Sequence, residues 1–596
     1  MHALPVKLTN RRKVILSIFL IVCITLLSYS NSLSHHFVAD DDFTILRNNF
    51  ISSWSSFPRL FSKSYLSTGA DTVLHSYRGQ DYGSGEVSYR PTVTLSYMID
   101  YSFLKREPFG YHLTNILLHA VNGILLYILL RLLTTGNFLA LCSSLIFCSH
   151  PINTSVVNHI SFREELLVVS FSLLAFILFL TYKKAYGIKR FIFYFFSCFS
   201  FFLAALSKEV AIVFPVLLVL YDYIFEFEGD IKRTLSSIKS RYLGYIIVSV
   251  CYLLIYFLFI GNNQPANIPY VGGTIFNHIL TVLKIQGRYI SSFFLPLQIS
   301  IEPFHYAPIA NSILDPEVLL SIGLLALLIY LGLRMQARLR VVSFGIFWFF
   351  VTMFPTSGIF VRLYHMFAFR YMYFAGIGFC VVLAVLCERL AYVKFLRERI
   401  PNLWAISAFL IIGFFVPSTI AQNMFWKNDF TVGKNQEMFY PDTPESQSLL
   451  IEYFCEQGFF QEGARRLEWY LKYRPYDAMA YKNLGGCYMS LGREDLAIEA
   501  FNMAVELRPD STEAYYSLGC IYLEERRLDE AEESFKKVIE MDPEFCEALN
   551  NLGVTYLWKN EYEQAKLYFD RVFEIAPTKK GIKLNLELAQ EGLQEQ

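Results

Sequence analysis

The chain has 596 residues, so more than one domain is expected. Hydrophobic residues make up 54% of the sequence, and its mean hydropathy of +0.36 excludes an ordinary soluble protein. The 52 basic and 52 acidic residues cancel, and the aromatic residues lie in apolar runs, so the composition does not indicate nucleic-acid binding. None of the 11 cysteines has CxxC spacing and no metal-ligand spacing occurs, so we expect neither a metal nor another cofactor.

Apolar runs that can cross a bilayer recur throughout residues 1–425. We predict about eleven spans, which begin near residues 14, 113, 137, 165, 191, 209, 242, 317, 341, 371 and 403. Lys284, Arg288 and Pro296 interrupt the stretch 278–296, which we interpret as a surface or re-entrant helix. The first apolar run is followed by further spans, so we interpret it as a retained anchor and not a cleaved signal peptide. Residues 1–425 are therefore predicted to be a polytopic helical membrane domain.

Basic residues predict the orientation of these spans, because cytoplasmic loops are enriched in Lys and Arg. The first 13 residues carry four of them, and we place the N-terminus in the cytoplasm. Alternation then puts the basic segments 183–190, 232–241, 334–340 and 389–399 on the same side. An odd number of spans places the C-terminal domain in the periplasm or the endoplasmic reticulum lumen. The compact chain favours a bacterial inner membrane.

Unusual polar residues gather on the predicted outer side. The first outer loop, residues 31–111, contains FVADDDFTILRN at 37–48 and VSYRPTVTLSY at 87–97. The other outer segments are SHPINTSVVNHISFREE at 149–165, LSKE at 206–209, GNNQPANIPYVGG at 261–273 and RLYHMFAFRY at 362–371. Ionisable groups at span ends are costly and often mark a functional site. Carboxylates and cations on one face suit a reaction on an anionic lipid-linked substrate.

A 34-residue period appears after a predicted linker at 426–442. Proline recurs at 475, 509, 543 and 577, and the same step relates the Leu-Gly pairs at 484, 518 and 552, and Ala497, Ala531 and Ala565. This period is typical of the tetratricopeptide repeat, in which small residues let paired helices approach closely. We predict four repeats over 443–578, the first of them degenerate, and a capping helix over 579–596.

One position of each good repeat faces the predicted concave groove: Asn483, Ser517 and Asn551. These side chains are predicted to hold an extended acceptor peptide by its backbone amides. The alternative is that they are solvated polar residues on an exposed face.

The motifs FVADD (37–41), YRPTVTLSY (89–97), YHLTNILLHAVN (111–122), HPINTSVV (150–157), SKE (207–209) and FRYMYFAGIGF (369–379) occur in this order before the repeats. With them, the chain resembles the transmembrane and tetratricopeptide-repeat O-mannosyltransferases, which are membrane glycosyltransferases of the GT-C fold. The resemblance implies inverting transfer of mannose or a similar sugar from a polyprenyl (dolichyl-type) phosphate to Ser or Thr hydroxyls of secreted proteins. This chain has Phe-Arg-Glu-Glu-Leu at 162–166 where that family usually has Gly-Arg-Ala-Asp-Leu.

The resemblance aligns Asp40 and Asp41 with an acidic pair. A carboxylate is needed to accept the proton of the acceptor hydroxyl, and we assign Asp40 as this base. Asp41 would orient the acceptor or tune the pKa of Asp40. The alternative for Asp41 and Asp42 is capping of a short helix that begins near Phe43, and we assign Asp42 to that role.

Four cations are assigned to the departing lipid phosphate: Arg163, Lys208, Arg90 and Arg370. Each has an alternative, because such cations also extend toward headgroups or pair with carboxylates. Glu209 is the predicted ion-pair partner of Lys208. The predicted sugar or acceptor pocket contains His112, His119 and His150, for which hydrogen-bonded packing is the alternative.

Two other functions fit parts of the sequence. An O-oligosaccharide ligase that uses lipid-linked glycans is disfavoured. Such ligases have a large outer loop late in the chain, whereas the large outer loop of this chain is the first one. A membrane-anchored repeat scaffold without catalysis would not need charged residues at so many outer span ends.

Overall fold

A computed structural model describes residues 11–61, 89–134, 136–259, 270–297, 301, 308–359, 362–363, 365–390, 402–441, 443–578 and 580–595. Parts of two predicted outer segments, 62–88 and 261–269, lie outside the described residues. The chain forms two compact units, one ending at Pro441 and the other containing Asp442–Gln596.

The described part of the first unit is built from helices and short helical turns. Sixteen helices follow one another: α1 (Arg11–Tyr29), α2 (Pro91–Leu104), α3 (Pro108–Leu133), α4 (Asn137–Ser149), α5 (Thr154–Asn158), α6 (Arg163–Lys184), α7 (Gly187–Ala205), α8 (Phe214–Tyr221), α9 (Ile231–Arg241), α10 (Leu243–Phe259), α11 (Ile275–Phe294), α12 (Pro316–Met335), α13 (Arg340–Met353), α14 (Met372–Arg389), α15 (Leu403–Asn423) and α16 (Asp429–Phe439). The predicted all-helical membrane domain is confirmed.

The predicted number of spans is not confirmed. Within the described ranges, seven helices are long and apolar enough to cross a membrane, or up to nine if two bent helix pairs each count as one span. The predicted span near 209 is broken into a 3-10 turn (Glu209–Val213), α8 and a π-helical turn (Asp222–Glu226), and α13 has only 14 residues. Helix α11 is not among the seven, because its polar residues interrupt its apolar run.

Polar side chains join the helices at the centre of the first unit. Asn122 of α3 donates from Nδ2 to the carbonyl oxygen of Leu166 in α6 (3.0 Å) and accepts from Ser170 Oγ (2.6 Å). Gly345 and Gly378 let α13 and α14 approach until a Cβ on either glycine would meet the carbonyl oxygen of the other. Hydrogen bonds and small residues replace the hydrophobic effect as the source of specificity between membrane helices.

The predicted linker over 426–442 is wrong in its central part, because that part is helix α16. Asn428 caps α16 by accepting from the backbone N–H of Thr431, and the backbone N–H of Asn428 donates to the hydroxyl of Thr431. Val432 and Gln436 are buried, so α16 packs against the membrane unit. The sequence did not indicate this helix, because the segment has the polar composition of a linker.

The second unit contains four pairs of antiparallel helices and a final helix, as predicted from the 34-residue period. They are α17 (Pro444–Glu456), α18 (Phe460–Tyr473), α19 (Ala478–Ser490), α20 (Glu494–Leu507), α21 (Thr512–Glu524), α22 (Leu528–Met541), α23 (Cys546–Trp558), α24 (Tyr562–Ile575) and α25 (Ile582–Glu595). In each of the last three pairs a glycine of the first helix lies against a buried phenylalanine of the second, as Gly519 lies against Phe535.

We predict that Gly519→Ala destabilises the repeat array by about 1–3 kcal/mol, because overpacking a filled contact costs this much. A Cβ at Gly519 would lie 2.6 Å from the ring of Phe535. The matched control is Gly486→Ala, where a Cβ meets nothing within 4 Å. Hydrogen exchange of α21 in the detergent-purified chain measures the effect. Equal exchange in the two variants would contradict this account of the packing.

Candidate functional site

The carboxylate of Asp41 is buried and holds the acidic loop, residues 37–42, against the turn before α6. Its Oδ1 accepts hydrogen bonds from the backbone N–H (2.8 Å) and the hydroxyl (2.7 Å) of Ser161. Its Oδ2 accepts from the backbone N–H groups of Val38 (3.3 Å) and Ile160 (3.4 Å). Burial raises the pKa of Asp41 to about 6, although the hydrogen bonds from Ser161, Val38 and Ile160 oppose that rise. Asp41 is therefore the anchor of the loop.

Asp40 has a different environment from its neighbour. It is half-buried, and its carboxylate makes no hydrogen bond within the described part of the chain. Burial raises the pKa of Asp40, while the charges of His159 and Arg370 lower it and those of Asp41 and Glu164 raise it. A carboxylate with a raised pKa and unused acceptor oxygens is suited to general-base chemistry.

Asp42 has an environment separate from those of Asp40 and Asp41. A short helical turn begins at Asp42 and ends at Leu46, close to the predicted start. Asp41 precedes the turn and makes no capping hydrogen bond from its side chain, so the alternative of capping by Asp41 is wrong. The predicted capping by Asp42 is also wrong, because Asp42 is the first residue of the turn and its carboxylate forms an ion pair with the exposed Arg47 (2.5 Å).

A group of paired charges lies on the elements next to the acidic loop. Arg90 Nη1 lies 3.0 Å from Glu164 Oε1, and Arg90 Nη2 lies 3.5 Å from Glu209 Oε2. Lys208 pairs with Glu165 and approaches Glu164 Oε1 at 3.5 Å. The predicted pairing of Glu209 with Lys208 is therefore wrong, because Glu209 pairs with Arg90. The alternative predicted for Arg90, pairing with a carboxylate, agrees with these distances.

Arg370 completes this group, which we call the charged cluster: Arg90, Glu164, Glu165, Lys208, Glu209 and Arg370. Its guanidinium carbon lies 4.4 Å from the ring centre of Phe162 and 5.4 Å from that of Tyr371. Its charge acts on Asp40 and lowers the pKa of that carboxyl. The cluster has three cations and three carboxylates, so its formal charges balance beside Asp40.

Arg163 does not fit the predicted role in binding the donor phosphate. Its side chain is fully buried and forms an ion pair with Asp100 (2.6 Å). Its Nε donates to Asn115 Oδ1 (2.8 Å), Nη1 to Ser96 Oγ (3.3 Å) and Nη2 to the carbonyl oxygen of Tyr111 (3.2 Å). Arg163 therefore ties α2, α3 and α6 together, and its donors are already used.

The three predicted pocket histidines are fully buried. His119 Nδ1 lies 2.8 Å from the hydroxyl of Tyr373, and His150 Nε2 lies 2.9 Å from the carbonyl oxygen of Phe293. His112 is also fully buried. These contacts favour hydrogen-bonded packing for His119 and His150, and they do not bring the three rings into one sugar pocket.

Sequence reasoning did not single out His159. Its Nε2 lies 3.6 Å from Asp41 Oδ1, and its ring stacks on Trp426 and meets the edge of Phe162. The available signal was its place in an outer segment immediately before α6. Glu164 and Glu165 were also set aside, because they depart from the motif of the similar family. Two carboxylates at the start of an apolar span were the signal.

In the repeat unit, Asn483, Ser517 and Asn551 occupy the same position of α19, α21 and α23, and all three are half-buried. Asn551 Nδ2 lies within 3.4 Å of the hydroxyl of Tyr516 in the preceding repeat. Their role in binding a peptide stays a prediction.

No group of three potential metal ligands occurs among the described residues.

We predict that Arg163→Lys lowers the stability of the ligand-free protein by about 1–3 kcal/mol, because lysine keeps the charge but leaves buried acceptors of Asn115 and Tyr111 without their donors. Thermal unfolding in detergent measures this change. The control is Arg47→Lys in the exposed pair with Asp42, where we expect less than about 1 kcal/mol. A variant Arg163→Lys that unfolds like the wild type and loses only donor affinity would restore the phosphate role.

Comparison with family models finds the repeats in the C-terminal part of the chain. The tetratricopeptide repeat family matches residues 449–512, 512–545 and 534–566. Among solved structures, the chain is similar to the crystal structure of MamA, with 26% identity, 24% of this chain and 84% of that chain covered, and a TM-score of 0.24.

The chain is also similar to curated proteins that are named as protein O-mannosyl-transferases. It is 24% identical to the Protein O-mannosyl-transferase TMTC3 of Mus musculus over 532 residues, which cover 82% of this chain and 54% of that protein. It is 22% identical to the Protein O-mannosyl-transferase F38B6.6 of Caenorhabditis elegans over 393 residues, which cover 64% of this chain and 53% of that protein. The chain thus spans about half the length of these relatives. It resembles the transmembrane and tetratricopeptide-repeat O-mannosyltransferases, as the sequence motifs predicted.

Proposed function

We propose that the chain is a multi-pass membrane glycosyltransferase that transfers mannose from a polyprenyl phosphate to Ser or Thr hydroxyls of secreted proteins. The environment of Asp40 carries this proposal: a partly accessible carboxylate with a raised pKa lies beside a charge-balanced cluster. The names of the similar proteins support the sugar and the protein acceptor. The outer side of the membrane, periplasmic or lumenal, is the proposed location of the reaction.

In the proposed reaction, Asp40 accepts the proton of the acceptor hydroxyl as its oxygen attacks the anomeric carbon. The new carbon–oxygen bond forms while the bond from the anomeric carbon to the phosphate oxygen breaks, with inversion at that carbon. The lipid phosphate leaves with the electron pair of the broken bond. The raised pKa of Asp40 makes its carboxylate a stronger base than an exposed aspartate.

Arg370 is the proposed principal partner of the departing phosphate. It lies close enough to Asp40 for its charge to lower the pKa of that carboxyl. Lys208 and Arg90, which pair with Glu165 and Glu164, are proposed to balance these carboxylates and to assist Arg370. Preorganised cations near a developing negative charge stabilise the transition state without reorganising.

The repeat unit is the proposed acceptor-binding part of the protein. Asn483, Ser517 and Asn551 recur at one helical position with a spacing that an extended peptide can follow across successive repeats. Their amide and hydroxyl groups would bond the acceptor backbone, which leaves the acceptor sequence largely free.

We predict that purified protein in liposomes transfers radiolabelled mannose from polyprenyl-phosphate mannose to Ser/Thr-rich peptides. Asp40→Asn should reduce the rate by at least about a hundredfold, because an amide cannot accept the proton. The control Asp42→Asn, in the separate pair with Arg47, should retain transfer. Full activity of Asp40→Asn would overturn the assignment of the base, and transfer only from a lipid diphosphate oligosaccharide would favour the ligase.

We predict an acid limb in the pH profile of kcat/KM that lies above the ordinary aspartate pKa of about 4. Asp40 acts when ionised, so a raised pKa moves the loss of activity to higher pH. Arg370→Met removes a positive charge that lowers this pKa, and the acid limb should therefore shift to still higher pH. An unchanged or downward shift would contradict the proposed electrostatic contact between Arg370 and Asp40.

A further inference from the structure

The backbone of Ala39, immediately before Asp40, has a left-handed conformation with φ of 49°. An L-residue other than glycine is disfavoured there, because its Cβ crowds the carbonyl oxygen. Such a conformation persists only when surrounding contacts impose it, and functional sites are where these residues concentrate. The backbone N–H of Ala39 is contacted by the segment 426–442, which the sequence had indicated to be a linker.

Asp429, the first residue of α16, accepts a hydrogen bond from the backbone N–H of Ala39 at 2.8 Å. Two residues earlier, the carbonyl oxygen of Lys427 accepts from the backbone N–H of His36 at 3.0 Å. The acidic loop is thus fixed on one side by α16 and its preceding residues, and on the other by the bonds of Asp41 to Ser161.

Asp429 is itself held firmly. Asn428 and Thr431 form a reciprocal capping box around it, and a carboxylate in the first turn is stabilised by the partial positive charge of the helix N-terminus. Trp426, from the same segment, stacks on His159, whose ring contacts Asp41. The segment therefore contacts the surroundings of both carboxylates of the acidic pair.

We propose that Asp429 is a positioning residue for the glycosyl transfer, which holds Asp40 in its reactive geometry by imposing the left-handed conformation of Ala39. This inference rests on the proposed function. Asp429 bonds to the backbone before the base and not to the reacting groups. Its loss therefore lowers kcat, while donor binding, which depends on the charged cluster, changes little.

Four variants of the full chain in liposomes test this role, with kcat and the KM for polyprenyl-phosphate mannose measured separately. Asp429→Ala should lower kcat about tenfold to a hundredfold, the cost of a misplaced catalytic group, with KM within about twofold. Asp429→Asn, whose amide oxygen still accepts a hydrogen bond, should stay within about threefold of the wild type. Glu437→Ala, which removes the ion-pair partner of Lys434 on the same helix, is the control.

The double variant Asp429→Ala with Ala39→Gly provides the rescue. Glycine enters the left-handed region without a Cβ penalty, so kcat should recover about fivefold or more over Asp429→Ala alone. No recovery, or equal losses in Asp429→Asn and Asp429→Ala, would overturn the positioning role. Wild-type protein that transfers no mannose would instead refute the proposed function, so the two failures are distinguishable.

An independent observation concerns two cysteines of the repeat unit. Cys455 of α17 and Cys487 of α19 have their sulfur atoms 3.3 Å apart. Gly463 of α18 stands where the later repeats have alanine, and a Cβ there would lie 2.9 Å from Cys455 Sγ and 3.3 Å from Cys487 Sγ. The departure of the first repeat from the common pattern thus makes room for the two thiols.

We infer that Cys455 and Cys487 form a disulfide that joins the first two repeats when the repeat unit lies in an oxidising compartment. The thiolate of one of the two cysteines attacks the disulfide of a dithiol oxidoreductase and forms a mixed disulfide. The other cysteine then displaces that enzyme, so two protons leave the cysteines and two electrons reduce the enzyme to its dithiol. In the cytosol, glutathione would keep the pair reduced.

The test uses full-length protein from cells lysed in N-ethylmaleimide, digested without reductant and measured by mass spectrometry. We expect one linked peptide containing Cys455 and Cys487, which disappears on reduction and in Cys487→Ser. Cys520 and Cys546, on later repeats, serve as internal controls and should carry the alkyl group. Full alkylation of Cys455 and Cys487 would overturn the disulfide and with it the predicted oxidising side.

Discussion

Burial of the Asp41 carboxylate is the constraint on which the candidate site depends. A charge removed from water is tolerated only when its oxygens are hydrogen-bonded, and here four donors meet the two oxygens. Two of those donors belong to Ser161, which lies 120 residues further along the chain. The acidic loop must therefore close onto the turn before α6 whenever the protein is folded. Asp40 is carried to the charged cluster by that closure.

The same principle separates the cations by role. Arg163 and Asp100 form a pair that is satisfied within the helix bundle, and a group in that state stabilises specific packing without serving a ligand. Arg370 instead lies among aromatic rings, and its charge acts on Asp40. The surroundings that the fold gives each cation thus separate Arg163 from Arg370, and residue type alone does not determine those surroundings.

The sequence predicts the features that depend on short, repeated patterns. The 34-residue period predicted the repeat helices, because each repeat packs mainly on its neighbours. The acidic motif indicated Asp40 and Asp41, whose roles in transfer stay a prediction. The sequence does not predict long-range pairing. Arg90 lies 119 residues from Glu209 along the chain, and no local pattern indicates that the two side chains meet. Helix α16 was missed because its burial, and not its polar composition, reveals its role. The predicted number of spans is not confirmed among the described residues, because hydropathy does not register the division of the segment near 209 into a 3-10 turn and a short helix.

The most direct test is an experimental structure of the protein with a non-transferable phosphonate analogue of the lipid-linked mannose and a Ser/Thr-rich peptide. We predict that the acceptor hydroxyl lies within about 3.2 Å of a carboxylate oxygen of Asp40, as a general base requires. The phosphonate should contact Arg370. A sugar bound away from Asp40, or a phosphonate bound by Arg163 after separation from Asp100, would contradict the central claim.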